Sequence, residues 1–339
     1  MKYFLILGLC LIGITPSFAQ QPSAKQLQET SKTQLQHGDY DNAVRTLERA
    51  KLQEPINIEV LKDLSFANYL KRDFARAIEV GKEMTELPDA DPQSFQILGL
   101  SYKAIAAYKE GAKLYKAALK KFPGSGVIYN EYAELLALDK SMDEAIGQWE
   151  KGIELDPGYS SNYYNATMYY SRSKNWIRTI LYGELFLNLE SFSTRTNEIK
   201  PVLFEAYKNI FSPSVISQFQ NAKTTTVFEK AVLESLSKAT GAVKSVTSVE
   251  DITSVRTHFI LDWLQQKQAR YPFRLFDHQQ YLLSQGLFEA YNYWLFSASV
   301  NEGNYKIWQN NHPKEMEDFK KFQESRVFKI PAGQYYFSR

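Results

Sequence analysis

Cysteine is almost absent from the sequence, and Cys10 is its one occurrence. It lies inside an apolar run over residues 3–14, and Leu9 precedes it, whereas lipoprotein processing needs a small residue before the acylated cysteine. A lipid anchor at Cys10 is therefore not expected. Elsewhere the chain has no thiol for a disulfide, a thiolate metal site or a cysteine nucleophile, so its stability must come from packing.

Long apolar runs and an excess of one charge are also missing after residue 19. No segment there offers about 18 consecutive apolar residues, the length that spans a bilayer. The formal net charge is +2, which provides no electrostatic basis for binding nucleic acid or an anionic membrane surface. Glycine and proline are scarce, while aromatic residues make up 14% of the chain, a composition typical of a folded, helix-rich protein.

The N-terminal segment has the pattern of a signal peptide. Lys2 precedes the apolar run, which is too short to span a bilayer, and the small residues Ser17 and Ala19 occupy the two cleavage-site positions. The pattern predicts a signal peptide over residues 1–19 and a mature chain that begins at Gln20. We therefore expect an exported protein, periplasmic or secreted.

A column of mostly small residues recurs every 34 residues along the first half of the chain. Its members are Ala43, Ala77, Gly111, Ala145 and Thr179. Three prolines follow the first, third and fourth members at a constant offset of twelve residues: Pro55, Pro123 and Pro157. A period of 34 predicts helix-turn-helix units, each of which buries its apolar face only by stacking on its neighbour.

The third unit carries the fullest set of larger and smaller core positions. They are Phe95, Leu98, Gly99 and Tyr102 in its first helix and Tyr115, Ala118 and Pro123 in its second. This segment closely resembles the tetratricopeptide repeat family. The resemblance implies an all-α fold in which five repeats over residues 20–191 form a right-handed superhelix, an α-solenoid.

The same resemblance implies a concave groove lined by the first helix of each unit, where the family usually binds extended peptides. The family's groove positions fall on Lys62, Phe66, Tyr69, Gln96, Leu100, Lys103, Asn130, Glu134, Tyr164 and Met168. An alternative is that the aromatic members Phe66, Tyr69 and Tyr164 pack against a neighbouring helix or the C-terminal half and so bury the groove.

Residues 192–339 have helical periodicity but no recognised repeat, and the 34-residue phase is predicted to end at about residue 192. We expect an irregular α-helical C-terminal domain whose simplest role is to cap the open face of the last repeat. Its most aromatic stretch, residues 275–296, is interpreted as its core.

Signals for catalysis or metal binding are weak. The sequence has four histidines, none in a paired metal-ligand spacing: His37, His258, His278 and His312. Asp277 and His278, with Glu289 about three turns later, come nearest to an acid–base cluster, and Asp262 is a further candidate carboxylate. Such groups more often hydrogen-bond a helix end or a carbonyl, so we expect no catalytic residues, no metal and no cofactor.

The sequence therefore favours a non-enzymatic interaction scaffold or adaptor of the bacterial cell envelope. Its partner would be an unidentified envelope protein or peptide, bound through the repeat surface, with neither nucleic acid nor a membrane span involved. The alternative is a C-terminal domain that binds or processes a small molecule or glycan, with the repeats as a docking arm. Self-association through the repeats is compatible with the sequence as well.

Overall fold

A computed structural model describes residues 21–241, 248–300 and 302–336. The predicted signal peptide, residues 1–19, lies outside the described residues, and so does the predicted first mature residue, Gln20. The chain divides into two compact units, Met1–Ala90 and Asp91–Arg339. In the described ranges the regular secondary structure is α-helical, which confirms the all-α prediction. No helix in these ranges has the length and apolar character needed to cross a membrane.

Unit 1 contains two helix pairs. The pairs are α1 (Ala24–Gln36) with α2 (Tyr40–Gln53), and α3 (Ile58–Lys71) with α4 (Phe74–Glu86). Short polar residues start these helices. Ser23 and Gln26 form a reciprocal capping box at α1, and the Asn57 side chain accepts hydrogen bonds from the first backbone amides of α3. The one-sided burial of α2 and α4 fits helices that pack through a single apolar face.

Unit 2 begins with three more pairs of the same kind. They are α5 (Pro92–Ala104) with α6 (Tyr108–Lys121), α7 (Gly126–Leu138) with α8 (Met142–Leu155), and α9 (Ser160–Arg172) with α10 (Trp176–Leu189). The small residues explain the close approach of these helices. A Cβ built on Gly99 would lie 1.8 Å from the Tyr115 hydroxyl oxygen, and one on Gly111 would lie 2.2 Å from Cδ1 of Leu135.

The turns inside the five helix pairs repeat with the period of the sequence. The residue with a left-handed backbone falls at the same place in each turn, 34 residues after the previous one: Gly38, Arg72, Ala106, Lys140 and Lys174. Their φ angles range from 54° to 74°. Only the first is glycine, so four turns hold a side chain in a region that most residues avoid. The 34-residue unit is therefore a backbone repeat as well as a sequence pattern.

The 34-residue phase continues one helix beyond its predicted end at about residue 192. Helix α11 (Thr194–Ile210) begins 34 residues after Ser160, the first residue of α9, and it packs against both α9 and α10. The prediction ended the phase too early because α11 has Lys200 and Pro201 where the third repeat has Leu98 and Gly99, although Phe204 keeps the aromatic position of Tyr102. The next helix, α12 (Pro213–Asn221), is too short to complete an ordinary pair.

The remaining helices of unit 2 form an irregular layer over the last repeat. They are α13 (Val227–Thr240), α14 (Val249–Gln266), α15 (Arg274–Ser284), α16 (Phe288–Val300), α17 (Glu302–Asn311) and α18 (Pro313–Ser325). Helix α10 is buried on nearly every side, unlike the one-sided α6 and α8. This burial fits a capping role, while the proposed domain boundary at residue 191 stays a prediction, because both sides of it belong to one compact unit.

Candidate functional site

The first helices of the repeats in unit 2 lie side by side in the order α5, α7, α9 and α11. One polar surface follows this row, and we call it the inner face. Its residues are Gln96, Leu100, Lys103, Asn130, Glu131, Glu134, Tyr164, Asn165, Met168, Arg195 and Glu198. This set contains every predicted groove residue of unit 2, together with four residues that the sequence did not single out.

Lys103 lies on α5, at one end of the inner face. Its Nζ lies 2.7 Å from Oε2 of Glu131 and 2.9 Å from Oε2 of Glu134, and the lysine side chain is only 12% exposed. Burial alone would lower the pKa of the Lys103 ammonium, but the two carboxylates outweigh burial and raise that pKa. Lys103 therefore stays charged and ties α5 to α7.

Amide side chains extend this ion pair across three helices. Gln96 donates from Nε2 to Oε1 of Glu131 at 2.8 Å, which gives a second link between α5 and α7. Asn130 donates from Nδ2 to Oε1 of Glu134 at 2.9 Å, and Asn165 of α9 donates to Oδ1 of Asn130 at 2.9 Å. The result is one continuous hydrogen-bonded row from α5 to α9.

Tyr164 lies at the far end of the inner face, between α9 and α11. Its hydroxyl donates to Oε2 of Glu198 at 2.5 Å, and its ring centroid lies 5.4 Å from that of Phe186. The guanidinium carbon of Arg195 stands 5.1 Å from the centre of the Tyr164 ring. Burial and the Glu198 carboxylate raise the pKa of the Tyr164 hydroxyl. Tyr164 thus packs on neighbouring helices of its own chain, as the alternative interpretation of the aromatic residues anticipated.

The members of the inner face differ in their access to solvent. Asn130 and Glu131 are buried, whereas the Glu134 side chain is 38% exposed and Leu100 and Met168 are half-buried. A ligand can therefore reach a carboxylate and two flexible apolar side chains directly. It would not contact the buried Asn130 amide directly, but it would contact the Glu134 carboxylate that this amide holds in place.

The three predicted groove residues of unit 1 lie on α3. Lys62 is buried and donates from Nζ to Oε1 of Glu59 at 2.8 Å. Phe66 is 36% exposed and stacks on Tyr69 at a centroid distance of 6.0 Å, and Tyr69 in turn contacts the ring of Phe74 at 5.9 Å. Phe66 is the accessible member of this group, and the buried Lys62 is poorly placed to contact a ligand.

Four inner-face residues were missed by sequence reasoning: Glu131, Asn165, Arg195 and Glu198. Two of them follow from the repeat interval, because Tyr164 bonds Glu198 and Ser161 bonds Arg195, both 34 residues apart. The sequence contains this interval, but the predicted end of the 34-residue phase at about residue 192 left Arg195 and Glu198 outside the repeats. Glu131 and Asn165 directly follow predicted positions and bond to helices of neighbouring repeats.

The structure keeps the candidate catalytic groups apart in separate hydrogen-bonding arrangements. Asp277 accepts from Gln268, Glu289 accepts from the Trp308 indole at 3.0 Å, and Asp262 accepts from Ser235 and Lys238. His278 lies among the rings of Tyr291, Phe322 and Phe328 instead. These carboxylates therefore stabilise local structure.

His278 is buried, and its chemistry follows from that burial. Burial lowers the pKa of its imidazole to about 2, and the positive charges of Arg326, Arg274 and Arg256 act in the same direction. The ring is therefore neutral at any ordinary pH and a weak base. Across the described ranges, no group of three or more potential ligand residues is arranged to hold a metal ion.

Comparison with known proteins bears on the repeats. Residues 98–160 match the family model of the tetratricopeptide repeat. No curated protein matches the chain. Among solved structures, MamA from Desulfovibrio magneticus RS-1 is 20% identical over 50% of this chain and 93% of its own, with a TM-score of 0.38. TTC0263, a thermophilic TPR protein of Thermus thermophilus, is 15% identical over 54% of this chain and 98% of its own, with a TM-score of 0.44. YrrB, titled a TPR protein with an unusual peptide-binding site, is 15% identical over 52% and 92%, with a TM-score of 0.36.

Proposed function

We propose that this chain, which is a tetratricopeptide repeat protein, acts as a non-enzymatic scaffold that binds an extended segment of another protein on the inner face of unit 2. The observation that carries the proposal is the hydrogen-bonded row from Gln96 to Asn165, which leaves Leu100, Glu134 and Met168 accessible. A ligand would find this polar surface already ordered. Binding to an ordered surface costs less conformational entropy than binding that must first fix its side chains.

The chemistry of the inner face suits a peptide better than a small molecule. Its polar groups follow a row of parallel helices, so they can be met one after another by an extended chain. Leu100 and Met168 offer flexible apolar contacts beside the Glu134 carboxylate. The alternative of a C-terminal domain that processes a small molecule or glycan gains no support from the separated positions of Asp277 and Glu289.

We also propose that the scaffold works outside the cytoplasm, in the periplasm or as a secreted protein. The support for this location is the sequence pattern of residues 1–19, with its basic start, short apolar run and small residues at the cleavage site. Capture experiments should therefore use the periplasmic and extracellular fractions of the native cell as well as whole envelopes.

A matched pair of variants tests the binding surface. The inner variant carries Leu100→Ser and Glu134→Gln, and the outer variant carries Leu155→Ser and Glu144→Gln on exposed positions of the second helix α8. Each protein is crosslinked in the native cell fractions, and captured chains are quantified by mass spectrometry. The inner variant should lose a specific partner by at least about tenfold, whereas the outer variant should retain it, because one lost contact of about 1.4 kcal/mol changes binding tenfold.

Stability serves as the control for this test. Exposed or half-exposed changes of this kind usually shift the free energy of unfolding by about 1 kcal/mol or less, so both variants should unfold close to the wild type in urea. Equal capture by the inner and outer variants would rule out the inner face as the binding surface. A wild-type protein that captures no chain in stoichiometric amount would count against the scaffold function itself.

A further inference from the structure

The chain that follows α18 forms an extended segment without helical or strand structure. We call residues 327–336 the strap. It contains one tight turn, where Gly333 adopts a left-handed backbone with a φ of 82°. Half of the strap is exposed, including Val327 at 75%, and three aromatic side chains attach it to the rest of unit 2: Phe328, Tyr335 and Tyr336.

The first anchor, Phe328, is 8% exposed. Its ring lies 5.3 Å from the ring of His278, and the guanidinium carbon of Arg274 stands 4.8 Å from its centre. Arg274 also donates from Nε to the carbonyl oxygen of Lys329 at 3.2 Å. Phe328 therefore fixes the start of the strap beside α15.

The two tyrosines form the second anchor. Tyr335 places its hydroxyl 3.4 Å from that of Tyr182 on α10. Tyr336 stacks on Phe228 of α13 at a centroid distance of 4.8 Å, and its hydroxyl donates to the carbonyl oxygen of Pro272 at 2.9 Å. Together these contacts lay the end of the strap across helices of both the last repeat and the C-terminal layer.

The strap fills a groove whose wall is largely aromatic. Tyr163, Tyr182, Leu185 and Phe273 line it from the protein side. The space left beneath the strap is about 10 Å³, which is about the size of one water molecule. We call this surface the aromatic groove. It fits closely around an extended segment that carries aromatic side chains.

The way the strap is held distinguishes it from a core element. Among the described residues, the hydrogen bonds that join it to α15, α10 and Pro272 each involve a side chain, such as the Gln334 side chain that accepts from the backbone amide of Arg274 at 2.6 Å. A core strand would instead be joined to its neighbours by a backbone ladder. A competing segment with the same side chains could therefore replace the strap without disturbing any helix.

We propose that the aromatic groove is a second peptide-binding site, occupied in cis by the strap, and that its ligand in trans is an extended segment of a partner protein with two adjacent aromatic residues. The strap provides the pattern: Gly333 at the turn, Gln334 on the Arg274 amide, and the Tyr335–Tyr336 pair on Tyr182 and Phe228. This site is lined by Tyr163 of α9, by α10 and by the C-terminal layer, and it shares no residue with the inner face.

The strap also competes with any partner for the aromatic groove and so determines the affinity that a partner needs. A segment of the same chain has an effective concentration on the order of 1 mM at its own site, so a partner must bind more tightly than the strap or be present at a comparable local concentration. The groove is thus closed in the free protein and available to a matched partner.

A strap peptide added to the full chain tests this proposal. The probe is a fluorescent peptide of residues 327–336, and the protein variant carries Tyr335→Ala with Tyr336→Ala, which removes the cis anchors and leaves the groove intact. Fluorescence anisotropy should show at least about tenfold tighter binding to this variant than to wild type, where the strap competes at millimolar effective concentration. A peptide with the same two tyrosines replaced by alanine should not bind.

A second variant keeps the test valid if the double change impairs folding. Gly333→Ala places a Cβ on a left-handed backbone and strains the cis strap, while the added peptide keeps its glycine. This variant should raise peptide affinity by roughly tenfold. The strain of a left-handed residue other than glycine weakens the binding of the cis strap by about that factor. Equal binding of the peptide to wild type and both variants, or equal binding of the alanine peptide, would overturn the proposal. A wild-type dimer in sedimentation that dissociates in the double variant would overturn the foreign partner and assign the groove to a second copy.

Discussion

Two charged clusters in unit 2 illustrate opposite uses of the same chemistry. On the inner face, Lys103 bridges Glu131 and Glu134, and the latter remains 38% exposed. Between α10 and the C-terminal layer, Arg256 pairs with Glu184, and their side chains are 2% and 0% exposed. The first cluster is open at one end and offers a carboxylate to a ligand. The second is closed on every side and serves only to join helices.

The closed cluster is satisfied in full at its carboxylate. Glu184 of α10 accepts from Arg256, from the Gln279 side chain at 2.6 Å and from the Tyr291 hydroxyl at 2.8 Å, and its other oxygen accepts from Tyr207 at 2.8 Å. Burial opposes the charge on Arg256, but Glu184 and the tyrosines outweigh it and raise the pKa of the guanidinium. One residue of the last repeat thus holds together helices α11, α14, α15 and α16.

The difference between the clusters predicts the largest effect for Glu184→Ala. This change leaves the Arg256 charge buried without its carboxylate, a situation that typically costs about 3–5 kcal/mol. Urea unfolding followed by circular dichroism should show a loss of that size. Adding Arg256→Met to Glu184→Leu should restore much of it, because a buried pair can often be replaced by apolar residues of similar volume. A loss below about 1 kcal/mol for Glu184→Ala would mean that the cluster is open to water like the inner face.

Two glycine positions, on α5 and α8, predict smaller changes in the free energy of unfolding than Glu184→Ala does. Gly99→Ala would force a Cβ to within 1.8 Å of the Tyr115 hydroxyl oxygen and should destabilise unit 2 by about 1–3 kcal/mol through overpacking. Gly147→Ala in α8 meets no atom within 4 Å and should stabilise it by about 0.5–1 kcal/mol through helix propensity. Paired urea titrations measure both. Effects of the same sign would show that close helix approach does not determine which repeat positions must be small.

Much of the repeat architecture could be predicted from the sequence because it is local and periodic. The interval of 34 fixes the helix pairs, and the turn residues with left-handed backbones recur at the same interval. Each helix-pair repeat contacts only the neighbouring repeats, so a repeated sequence pattern implies a repeated contact. The all-α fold and the resemblance to the tetratricopeptide repeat followed from that pattern.

The rest depends on contacts between residues that are distant in sequence, which no periodicity marks. Glu184 was part of an ordinary second helix by its position, and its bond to Arg256 spans 72 residues. The strap follows no local pattern, because its anchors lie on α10, α13 and α15. Groove positions could be carried over from the family, but whether a side chain such as Lys62 is exposed depends on its particular neighbours.

A pH-dependent effect distinguishes the closed C-terminal layer from the open inner face. The folded pKa of His278, about 2, is far below the ordinary value of 6.5, so the unfolded chain binds a proton that the folded chain does not. The linkage makes stability rise with pH wherever the unfolded state holds more protons. The contribution of His278 is therefore complete above pH 6.5 and is lost progressively as pH falls towards 2, by up to about 1.4 kcal/mol per unit.

His278→Phe isolates this contribution, because the ring can remain among Tyr291, Phe322 and Phe328 while the titrating group is removed. Between about pH 7.5 and about pH 5.5, the wild type should lose about 1.4 kcal/mol more unfolding free energy than the variant. Parallel curves for wild type and His278→Phe would mean that the imidazole takes up its proton in the folded protein, and that the layer over α10 is open to water on the side of the strap.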